Sequence, residues 1–136
     1  MFFKKEETKD NNFLIKVCAL LIHAAKIDEN YTDKEEEIIK RTLDELGVKD
    51  KDISKTIEQA KIIVESSNQI LDFTREVKGL PEQDKIKIIE ALWSIIYSNK
   101  DADIYETNLM RRLAGLLYID NKTMGDIKEK IKQNFE

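Results

Sequence analysis

Asp28, Asn30, Thr32 and Glu35 set four side-chain oxygens at positions 1, 3, 5 and 8 of one short stretch, AKIDENYTDKEEEII. The same spacing returns as Asn99, Asp101, Asp103 and Glu106. Alternating oxygens on a tight loop, followed by a carboxylate on a helix, suit a hard divalent cation such as Ca²⁺ or Mg²⁺. Neither loop is an EF-hand. That loop needs Gly at its sixth position and Glu at its twelfth, where this chain has Asp33 and Ile39, then Ile104 and Met110.

The same residues have a structural use. Thr32-Asp33-Lys34-Glu35 fits a capping box, in which the Thr hydroxyl caps the helix and the Glu reaches back to the cap's amide. Asp103 and Glu106 repeat that relation in the second half, and Glu36 and Glu37 add negative charge at the positive end of a helix dipole. Catalytic chemistry has little to build on. A di-iron bundle needs Glu-x-x-His pairs, and His23, the single histidine, follows Leu20 at that spacing and lies off its helix's apolar stripe. Cys18 falls within the stripe and reads as a small core residue. Trp93 also reads as core, and Lys122, Lys128, Lys130 and Lys132 as a solvated face of the last helix. No glycine-rich phosphate loop is present.

Helices must position these loops. Four glycines and one proline are too few to punctuate hairpins, and apolar residues recur at helical spacing almost throughout. The stripes are Leu14, Val17, Cys18, Leu21 and Ala25 over residues 12–27; Ile38, Ile39, Thr42, Leu43 and Leu46, stopping at Gly47; and Ile53, Ile57, Ala60 and Val64. A short fourth helix carries Ile70, Phe73, Thr74 and Val77. The fifth follows Pro81 with Ile86, Ile88, Ile89, Leu92, Trp93, Ile95 and Ile96, a face wide enough to predict the central element. The sixth uses Tyr105, Leu109, Leu113, Leu116 and Leu117, and the seventh Met124, Ile127, Ile131 and Phe135. The class is all-α.

A shift of 71 residues brings the halves into agreement: Ile15 meets Ile86, Leu21 meets Leu92, Glu35 meets Glu106, Arg41 meets Arg112 and Leu46 meets Leu117. Two similar three-helix units, about residues 13–66 and 84–135, are joined by a short linking helix. So long a period is a duplication, not a solenoid.

The 136 residues suit one domain, 13–136, after a flexible tail at 1–12. With 41% hydrophobic and 37% charged residues, a solvated globular domain is expected. The net charge of -4 disfavours nucleic acid as a partner. It also repels anions. One cysteine excludes an intrachain disulfide, and neither a secretion signal nor a membrane span is legible, so a cytoplasmic protein is expected.

The second half, ALWSIIYSNKDADIYETNLMRRLAGLLYI, with LPEQDKIKIIEAL upstream, resembles the TerB-like proteins of bacterial tellurite resistance. The shared pattern is Leu-Trp, a turn, a Glu and then Arg-Arg, and the resemblance covers about residues 13–135. It implies an all-helical, non-enzymatic domain with acidic residues proposed to bind metal, found in stress-response systems and beside chaperone-type domains; protein partners are expected. The family's Asp-Gly is Asp28-Glu29 in the first loop and Asn99-Lys100 in the second. Lacking the leading carboxylate, the second loop is the weaker. The expected function is a binding or scaffold module, with a weakly held divalent cation and no other cofactor. A metal-dependent enzyme and a metal-free protein adaptor are the alternatives.

Overall fold

The structure is a computed structural model and describes residues 2–26, 32–66, 71–98 and 104–134. These residues form seven α-helices: α1 (Phe2–Ala25), α2 (Asp33–Glu45), α3 (Asp50–Ser66), α4 (Leu71–Val77), α5 (Glu82–Ser98), α6 (Ile104–Leu116) and α7 (Asn121–Asn134). No strand occurs among the described residues. The all-α expectation holds, as does the order of three helices, a short linker and three more.

α1 departs from expectation in two ways. It starts at Phe2, upstream of residues 12–27, over which the sequence places the first helix. No proline or glycine interrupts residues 2–25, and lengthening an existing helix avoids the cost of nucleating a new one. The second departure is burial on every side. Val17, Cys18, Ala19, Leu20, Leu21 and Ile22 are all fully buried, and Ala24 and Ala25 nearly so. A single stripe would leave Leu20 and Ile22 outside the core. Instead α1 meets α2, α3, α4 and α5, and such wrapping requires an apolar surface all round.

α5 is the other central rod. Ile88, Ile89 and every residue from Ala91 to Ile96 are buried, Leu92 completely. It packs against α1, α2 and α7. The core centre, expected on the fifth helix alone, is thus shared by α1 and α5. Elsewhere the apolar stripes meet the core as their spacing dictates: Ile38, Ile39 and Leu43 of α2, Ile53, Ile57 and Ala60 of α3, and Met124, Ile127 and Ile131 of α7. α4 brings Phe73 and Val77, both fully buried, against α1. The Pro81 carbonyl accepts the Lys85 amide at 3.1 Å, opening α5 where a residue lacking its own N–H fits.

The 71-residue shift is written into the helix ends. The bounds of α2, moved by 71, are the bounds of α6. After α2 the Gly47 amide donates to the Asp44 carbonyl at 3.0 Å and the Val48 amide to Leu43 at 2.9 Å, a Schellman motif around a left-handed residue. After α6 the Tyr118 amide donates to Gly115 at 3.4 Å and the Ile119 amide to Ala114 at 2.9 Å. Both central residues have positive φ, 102° at Gly47 and 57° at Tyr118.

Candidate functional site

The junction between α1 and α2 is described from Thr32 onward. Thr32 is extended, with φ -94° and ψ 163°, as a helix N-cap should be. Its hydroxyl accepts the Glu35 amide at 3.2 Å and donates to Glu35 Oε1 at 3.0 Å. The Thr32 amide donates to the same Oε1 at 2.8 Å. The capping box expected from the sequence is therefore complete. Its carboxylate is also fully buried, and a buried charge is tolerated only when well hydrogen-bonded. Beside it, the half-buried Glu36 carboxylate lies 3.5 Å from Lys61 Nζ, tying the start of α2 to α3.

The other candidate ligands divide into two groups. Asp28, Asn30, Asn99, Asp101 and Asp103 lie outside the described residues, and Glu106 falls in the first turn of α6. Thr32 and Glu35 are brought together, three residues apart on one cap. Both carry the oxygen chemistry a hard cation accepts, but Glu35 Oε1 already takes two hydrogen bonds within the cap. Among the described residues, no group of three or more His, Cys, Asp or Glu side chains is arranged to hold a metal ion.

The remaining reactive side chains sit in environments that quiet them. Cys18 is buried in the core, and burial pushes its thiol up to about 12, so the thiolate nucleophile is scarce at neutral pH. His23 is half-buried, its ring centroid 5.9 Å from that of Phe73 on α4. Desolvation lowers its pKa, and the Arg112 charge lowers it further. Trp93 is in the core as its stripe required, and its Nε1 donates to the Met124 sulfur at 3.4 Å. Lys128 stands over the Trp93 ring at 5.4 Å, and Lys130 pairs with Glu90 at 2.9 Å. The basic face of α7 is thus partly engaged with α5.

Sequence reasoning missed two tethers around the α6–α7 turn. Lys85 Nζ of α5 donates to the Leu117 carbonyl at 3.0 Å, placing a cation at the C-terminal end of α6. Asp120 accepts the Thr123 amide at 2.6 Å and so caps α7; that hydrogen bond holds its pKa below the ordinary value. The triplet Asp120-Asn121-Lys122 before an apolar helix was an available signal for the cap. The Lys85 contact has no local signature.

Duplicated helix triplets, buried central rods and an acidic junction closed by a capping box define a small all-helical domain. The family profile described as tellurite resistance protein TerB matches residues 14–129, and the chain belongs to that family. No curated protein and no solved structure gives a match. No helix among the described residues is long and apolar enough to cross a membrane.

Proposed function

We propose that this chain is a non-enzymatic binding module of a tellurite-resistance-type bacterial stress response, acting in the cytoplasm through protein partners. Its acidic junctions fix the helix ends, and a divalent cation held weakly by Asp28, Asn30, Thr32 and Glu35 stiffens the first of them. Asn99, Asp101, Asp103 and Glu106 form the poorer counterpart. A bound cation would supply charge neutralisation and loop order there. Tellurite itself is not the ligand in this reading, since the net charge of -4 repels an oxyanion.

The observation that carries this reading is the commitment of Glu35. The carboxylate on which the cation proposal depends is fully buried and bonded to its own helix cap, which supports a structural first duty; the secondary cation role rests on the spacing of the loop oxygens. The same observation favours the metal-free adaptor as the second reading.

Melting Thr32→Ala and Glu35→Gln with and without Ca²⁺ tests the division of labour. Thr32→Ala should cost about 0.5–2 kcal/mol, the usual value of an N-cap side chain. Glu35→Gln should be nearly neutral without ion, because Gln keeps an oxygen for the Thr32 amide, and should lose the added stability that Ca²⁺ confers. Full Ca²⁺ stabilisation retained in Glu35→Gln would remove that residue from the ligand set.

A further inference from the structure

We draw no further inference here: the strongest candidate, the surface patch at the α6–α7 turn where exposed Tyr118 stands beneath Lys78 at 5.4 Å, is followed in the chain by Asp120 and Lys122 of opposite sign, and nothing in the structure shows what covers it.

Discussion

Gly47 and Tyr118 occupy equivalent turns, yet only one is suited to a left-handed backbone. A Cβ added at Gly47 would meet no atom within 4 Å, so any penalty there comes from the backbone alone. Left-handed geometry costs an L-residue about 1–2 kcal/mol, offset by about 0.4–1 kcal/mol through a less flexible unfolded chain. Gly47→Ala should therefore lower stability by about 1 kcal/mol in denaturant melts. Tyr118→Gly relieves the same strain but surrenders that chain-entropy advantage. It also loses the Lys78 contact over the exposed ring, worth about 0.5–1 kcal/mol. Its net effect should be close to zero, and a gain above about 2 kcal/mol would show that these terms are misjudged. At this scale the sequence was only partly readable. Gly47 announces its turn by residue type, whereas a tyrosine with positive φ has no local signal and follows only from the repeat. The capping box was legible in Thr32 and Glu35 because it is a contact within one helical turn. The complete burial of Glu35 depends on neighbouring helices and was not.

The helices were legible wherever one face meets the core. α2, α3 and α7 bury most of the residues their spacing selects, with Leu46 and Val64 half-buried and Phe135 outside the described residues, while α1 does not follow its stripe, because a rod packed against four helices has little outer face. Leu20 and Leu21 are both fully buried on α1, although only Leu21 belongs to the stripe. Each Leu→Ala substitution should cost about 2–5 kcal/mol. A neutral Leu20→Ala beside a costly Leu21→Ala would restore the one-sided helix. The half-burial of His23 on α1 also makes stability depend on pH. Burial and the Arg112 charge depress the His23 pKa in the folded state, so as pH falls the unfolded chain takes the proton first. The His23 contribution is complete above its unfolded pKa, near 6.5, and is lost as pH falls through the lower folded value. Between pH 7.5 and 5.5 the wild type should lose more stability than His23→Gln in denaturant melts. Equal losses would mean that His23 titrates alike in both states.

Across the whole molecule, duplication explains why α2 and α6 share their bounds and their closing turns, and why the chemistry of the two candidate loops can still differ. Coinciding bounds for α2 and α6 and the paired Schellman turns follow from the 71-residue repeat, which the sequence displayed in Ile15 and Ile86 or Leu46 and Leu117. The repeat does not equalise ligand charge, since Asp28 is matched by Asn99. Cation affinity in such loops follows ligand charge and rigidity, and neither loop has the glycine that eases a tight turn. Dissociation constants should therefore be in the millimolar range, on the order of the weakest Ca²⁺ modules. At about ten times such a constant, linkage gives only ~1.4 kcal/mol of stabilisation. The central claim is that the junctions are helix caps first and weak cation sites second. Calorimetric titration of chelator-treated protein with Ca²⁺, Mg²⁺ and Mn²⁺ tests it most directly, with Asp28→Asn and Asn99→Ala alongside the wild type. The account predicts millimolar binding that is largely lost in Asp28→Asn and little changed in Asn99→Ala. Micromolar binding that survives Asp28→Asn would contradict it.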